Sequence, residues 1–152
     1  MLKQAGDTIL LVEDEESAIL LVQQAVATCP GGLHLAVVPD SVAALDWLST
    51  ETAHGHPVPR LILIDLKLPK LIGLAVLRTL CMDQRLAHVP IVVYSEVHEP
   101  SDVVLAYQVG ANSFVRKPEN LGEFGQLMRD LIDMGWLEQG GLGKTLHQTI
   151  PS

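Results

Sequence analysis

Cysteine is scarce: the chain of 152 residues has two, Cys29 and Cys81. Both fall in apolar helical patterns, so the sequence offers neither a disulfide framework nor a close-spaced metal-binding motif. A charged-then-apolar leader is also missing ahead of the first strand-like run, and the two absences together point to a reduced, cytoplasmic setting. Long apolar runs are lacking too. None approaches the roughly 18 to 20 residues that span a bilayer, so no membrane partnership is expected. Positive charge is sparse and scattered: ten Lys and Arg against eighteen Asp and Glu give a net charge of −8, with no basic cluster to meet a phosphate backbone. Nucleic acid is therefore not an expected partner. Charged residues of both signs make up only 18%, against about 25% in an average domain. With that composition, some helix faces are expected to be covered by a partner.

What the chain does have is alternation. Short aliphatic runs at 8–12, 33–38, 61–64, 89–94 and 113–115 read as strands, separated by segments with helical spacing. The first such segment, 16–28, sets Ile19, Val22 and Val26 on one stripe, and the second, 41–50, opens on Ser41 as a cap and buries Ala44, Leu45 and Leu48. A third, from about 74 to 82, repeats Val76, Leu77 and Leu80; a fourth, 101–109, opens on Ser101 and Asp102 and closes on Gly110. In the fifth, 121–134, Phe124, Leu127, Met128 and Leu131 fall in register, while Gly122 and Gly125 weaken the helix by about 1 kcal/mol each relative to Ala, leaving packing to hold it. Strands alternating with helices imply crossover connections and an α/β fold with a parallel sheet. Past Gly135 the periodicity stops, so the expected organisation is one domain over 1–134 and a tail over 135–152 with no separate output domain.

The stretch "LILIDLKLP" at 61–69 frames the chemistry, because a run fit for a buried strand ends on the carboxylate of Asp65. An ionised carboxylate in an apolar interior costs several kcal/mol unless it is paired. In an open parallel sheet, ligands collect outside the carboxyl ends of the strands. That rule gathers Glu13 and Asp14 from "VEDEE", Asp65, Ser95 from "VVYSE" and Lys117 from "FVRKP". Crowded carboxylates suit a hard divalent cation such as Mg²⁺, which takes a few carboxylate oxygens, waters and a phosphate oxygen. With the cation and Lys117 offsetting an incoming phosphoanion, Asp65 becomes a nucleophile able to form an aspartyl phosphate.

The ordered set "VEDEE", "LILIDLKLPKLIG", "VVYSE" and "GANSFVRKP" closely resembles the receiver domains of two-component response regulators over roughly residues 7 to 134. The resemblance implies a flavodoxin-like (βα)₅ fold, its five-stranded parallel sheet in the order 2-1-3-4-5 with helices on both faces. It makes Asp65 the phospho-acceptor and Glu13 with Asp14 the acidic pair, Asp14 being the direct Mg²⁺ ligand of the two. Asp65 and the backbone carbonyl of Lys67 complete the metal set. Ser95 matches the hydroxyl that moves onto the phosphoryl oxygens, Phe114 the switch aromatic and Lys117 the lysine before a proline. The details "VED", "DLKLPK" and "WLEQ" look most like the stand-alone regulators encoded beside bacterial phytochromes. The implied donor is then a sensor histidine kinase, such as a bacteriophytochrome. The implied assembly is a homodimer through the face of helix four, strand five and helix five, near Tyr107, Phe124 and Met128.

Several residues depart from the family pattern. Phe114 lacks the hydroxyl of the tyrosine often found there, which weakens an aromatic switch. Glu96 follows Ser95 where a small residue is usual, and its charge opposes an incoming anion; Lys67, two residues past the acceptor, can alter phosphate lifetime. Leu71 and Ile72 are apolar in a loop that is commonly polar and are candidates for docking. "GGLGKT" in the tail resembles a Walker A loop, but Glu138 stands where its first glycine is required and no buried strand precedes it. His54 and His56 in "HGHP" have no third ligand nearby in sequence and read as a solvated loop. Two other functions compete with a phosphorylation switch whose only chemistry is self-phosphorylation and autodephosphorylation. A phosphatase of the haloacid-dehalogenase type would need an acid where Lys67 stands; a docking module that keeps the fold without the switch is compatible with Glu96, Phe114 and the apolar composition.

Overall fold

Strand and helix alternate through the chain as the periodicity implies. The computed structural model describes residues 8–29, 32–66, 70–96 and 99–134. In order these form β1 (Thr8–Val12), α1 (Glu16–Ala27), β2 (His34–Val38), α2 (Ser41–Ala53), β3 (Leu61–Asp65), α3 (Lys70–Cys81), a 3-10 turn at Gln84–Leu86, β4 (Ile91–Ser95), α4 (Pro100–Val109), β5 (Ser113–Arg116) and α5 (Leu121–Asp133). All strand pairs are parallel and the order is β2-β1-β3-β4-β5, the flavodoxin-like arrangement.

Alternation within each strand divides the core into two layers. Ile9, Leu11, Leu61, Leu63, Val92 and Tyr94 face α1 and α5, where Val22, Val26, Phe124 and Met128 meet them. Leu10, Val12, Ile62, Ile64, Ile91, Val93 and Phe114 face the opposite way, against Ala44, Leu48, Leu77, Leu80 and Ala106. A sheet covered on both faces explains why its central strands are aliphatic over most of their length, on both faces. Each fully buried Leu, Ile or Val contributes about 1.5 to 3 kcal/mol relative to exposure.

Element ends differ from the sequence expectation where capping chemistry overrides hydrophobic spacing. Asp40, not Ser41, caps α2, its carboxylate accepting the Ala43 N–H at 2.9 Å. Helix α4 starts one residue early, at Pro100: Glu99 is its cap, and the Asp102 carboxylate accepts the Glu99 N–H at 2.8 Å in a capping box. Helix α3 begins at Lys70, so Leu71, Ile72 and Gly73 belong to its first turns rather than to a loop. Strand β4 starts at Ile91, because Val89 closes the preceding turn onto the Leu86 carbonyl.

Phe124 and Met128 are fully buried against the sheet, so neither lies on a docking surface. The exposed apolar side chains of that region are Val104 and Leu105 of α4 and Leu121 at the start of α5. Tyr107 is half-buried, and its hydroxyl accepts the Phe114 backbone N–H at 3.2 Å. Lys67 and the tail 135–152, with its Walker-like stretch, lie outside the described residues. Among those residues, no helix is long and apolar enough to cross a membrane.

Candidate functional site

Parallel register delivers the acidic and basic side chains to one edge. Strands β1 and β3 are neighbours while the chain leaves β1 toward β2 on the other side, so the topological switch point falls where Glu13 and Asp65 emerge. Ser95 ends β4, paired in register with Arg116 of β5, and its carbonyl accepts the Lys117 N–H at 2.8 Å. That backbone bond fixes where the Lys117 side chain departs.

Lys117 Nζ lies 2.9 Å from Glu15 Oε1, 3.3 Å from Glu13 Oε1 and 3.3 Å from Asp65 Oδ2. The Lys117, Glu13 and Asp65 side chains are nearly closed to solvent, at 6%, 0% and 6% exposure, whereas Glu15 is 47% exposed and lids the cluster from outside. The Glu13 carboxylate is held from both ends: Oε1 accepts the Tyr94 hydroxyl at 2.6 Å, and Oε2 accepts the Glu15 N–H at 3.1 Å. Tyr94 also carries the ammonium over its ring, Nζ standing 5.3 Å from the centroid.

Protonation follows from these contacts. Burial alone would raise the Glu13 carboxyl, but the Tyr94 hydroxyl, the Glu15 N–H and the Lys117 charge outweigh it and bring it down to about 2. Burial opposes the Lys117 charge, yet Glu15, Asp65 and Glu13 more than offset this and hold its pKa above the ordinary value. Burial and the adjacent Glu13 carboxylate push the Tyr94 phenol up, so it remains a donor at any physiological pH.

Of the sequence-predicted residues, Glu13, Asp65 and Lys117 meet directly. Ser95 is buried at the same strand-end edge, and Asp14 is exposed beside Glu13. Glu96 is exposed, and Phe114 is wholly buried in the layer against α4. Glu15 and Tyr94 went unrecognised. Glu15 is the next letter of the same acidic run, and Tyr94 had one signal, a phenol at the end of a buried strand whose hydroxyl requires a partner.

Asp14 and Asp65 bring carboxylate oxygens, which are hard donors, to this strand-end edge. A magnesium-type ion takes one or two carboxylates and keeps several waters, so this pair fits it by donor chemistry. Glu13 instead spends its oxygens on Tyr94, Lys117 and the Glu15 N–H. No group of three or more His, Cys, Asp or Glu side chains is arranged to hold a metal among the described residues. That includes His54 and His56, whose Nδ1 atoms meet the Thr50 carbonyl at 2.8 Å and Glu51 at 3.1 Å.

Residues 9–129 match the family model of the response regulator receiver domain. Response regulator Rcp1 of Synechocystis sp. is 34% identical over 86% of this chain and 88% of its own length. The crystal structure of the Mn(2+)-bound form of Rcp1 superposes with a TM-score of 0.70 at 32% identity, covering 87% of this chain and 95% of the other. The phosphorylated cyanobacterial phytochrome response regulator RcpA gives a TM-score of 0.72 at 32% identity over 86% and 94%. The bacteriophytochrome response regulator AtBRR gives 0.63 at 35% over 82% and 91%.

Proposed function

Because the chain belongs to the response regulator receiver family, we propose that it is a signalling switch that takes a phosphoryl group onto Asp65 from a sensor histidine kinase. The observation that carries this reading is the Lys117 ammonium 3.3 Å from Asp65 Oδ2, both side chains nearly closed to solvent at a strand-end edge rimmed by exposed acids. Asp65 attacks the phosphorus atom, the bond from phosphorus to the kinase imidazole nitrogen breaks, and that nitrogen leaves with the bonding pair. Lys117 then exchanges carboxylate contacts for phosphoryl oxygens, and Ser95 supplies a hydroxyl to another. Asp14, Asp65 and the Lys67 carbonyl would hold a Mg²⁺ ion, whose charge offsets that of the phosphoryl group. The Mn(2+)-bound form of Rcp1 supports a divalent-cation requirement.

A phosphoryl group brings about −1.5 to −2 charge and three acceptor oxygens. Movement of Ser95 toward it frees space beside Phe114 and loosens the packing of α4 on β5, a coupling worth about 1 to 3 kcal/mol. Glu96 and Lys67 modulate the rate and lifetime of the phosphate. The exposed Val104, Leu105 and Leu121 make the α4–β5–α5 face the surface for a second copy. Similarity to RcpA and AtBRR supports a phytochrome kinase as donor, and with it a cytoplasmic site of action. The chain acts on no separate substrate, its chemistry being confined to gaining and losing the phosphoryl group at Asp65. The test is transfer of label from a phosphorylated bacteriophytochrome kinase with Mg²⁺ present. Loss of the kinase's label to this chain is expected, and retention of all label on the kinase, with several such kinases tried, would refute the reading.

A further inference from the structure

The Glu13–Tyr94 hydrogen bond is unusual for what it does to a shared cation. One ammonium, Lys117, serves Glu13, Glu15 and Asp65. Glu15 is half-exposed and is satisfied by water when the ammonium leaves. Glu13 is wholly closed to water, and losing Lys117 would cost it heavily unless other donors remained. The Tyr94 hydroxyl is such a donor, 2.6 Å from the same Oε1 that Lys117 approaches, with the Glu15 N–H on the other oxygen. The phenol cannot wander: its ring packs edge-on to Phe124, centroids 5.9 Å apart at 73°, and Lys117 lies over its face.

We propose that Tyr94 is a positioning residue whose hydroxyl keeps Glu13 satisfied so that Lys117 is free to turn from Glu13 to the phosphoryl group on Asp65. The inference rests on the phospho-acceptor reading above. Without the hydroxyl, Glu13 competes with the phosphoryl oxygens for the Lys117 ammonium that reaches both Glu13 and Asp65. The bound phosphoanion is then weakened, while cation binding by Asp14 and Asp65 is unaffected. Tyr94 therefore tunes phosphoryl retention without touching the phosphoryl group.

Beryllium fluoride, a phosphoryl mimic, tests this on the full chain at saturating Mg²⁺, its binding read from the ¹⁹F signal of the bound species. Tyr94→Phe, which keeps the ring, should weaken beryllium fluoride binding about tenfold, with the Mg²⁺ affinity unchanged. In a Glu13→Gln background, where no buried charge competes for Lys117, adding Tyr94→Phe should cost less than about twofold. Equal affinity in the parent and Tyr94→Phe, or an equally large loss in the Glu13→Gln background, would overturn the role of Tyr94 alone. A parent that binds no beryllium fluoride would overturn the phospho-acceptor reading with it.

Discussion

Replacing Lys117 with Met keeps the length of the side chain and removes its charge from a site built around it. The contact with Glu15 is half-exposed and worth no more than about 1 kcal/mol. Glu13 keeps the Tyr94 hydroxyl and the Glu15 N–H, so the cost falls mainly on the nearly closed Asp65 carboxylate and is about 3 kcal/mol at pH 7, the low end for breaking a buried pair. The pH dependence should weaken as well. In the parent, Glu13 ionises at about 2 when folded and at its ordinary 4.5 when unfolded. Between those values the unfolded chain binds more protons, so about 3 kcal/mol of stability present above pH 4.5 is lost as pH falls toward 2. In Lys117→Met the Tyr94 hydroxyl and the Glu15 N–H still lower the Glu13 carboxyl but the ammonium no longer does, so its folded value moves back toward 4.5. The difference in bound protons between the unfolded and folded chains then shrinks, so the variant loses less stability than the parent as pH falls from 4.5 toward 2. Urea denaturation of both proteins across pH 3 to 7, followed by circular dichroism, measures the two slopes. A variant within 1 kcal/mol of the parent at pH 7, or one that loses as much stability as the parent between pH 4.5 and 3, would refute the electrostatic account.

Gly110→Ala should destabilise the fold by about 1 to 3 kcal/mol, because the backbone there has φ of +134° and a new Cβ would lie 2.9 Å from Cys81 Sγ. Thermal melts should show a fall of roughly 2 to 4 °C per kcal/mol, with Cys81→Ala restoring the steric part only. Tyr107→Phe removes the hydroxyl that accepts the Phe114 N–H, costing about 1 kcal/mol and speeding exchange of that amide in hydrogen-exchange NMR. An unchanged exchange rate would mean that the contact does not hold α4 against β5.

The alternation of strands and helices was legible because both faces of the sheet are covered, which writes Leu61 to Ile64 as an uninterrupted aliphatic run, whereas the strand order followed only from the resemblance to receiver domains. Helix starts were less legible. The Asp40 and Glu99 caps act through backbone donors, which leave no trace in hydrophobic spacing, and Gly73 between apolar neighbours reads as a loop although it is helical. At the site, Asp65 and Lys117 announced themselves as charges at the ends of buried strands. Tyr94 did not, because at position 94 a tyrosine continues an apolar pattern, and only the register of β3 against β1 on one side and β4 on the other brings its hydroxyl to Glu13. Phe124 and Met128 were expected near a surface because helical periodicity tells which residues share a stripe but not which neighbour that stripe meets.

The switch stands or falls on whether Asp65 accepts one phosphoryl group. The full chain, incubated with Mg²⁺ and a small-molecule phosphodonor such as acetyl phosphate, should gain the mass of one phosphoryl group, and Asp65→Asn treated in parallel should gain none. Equal gain on both would contradict Asp65 as the acceptor; no gain on the parent, with a cognate kinase also tried, would leave a receiver fold that serves as a docking module alone.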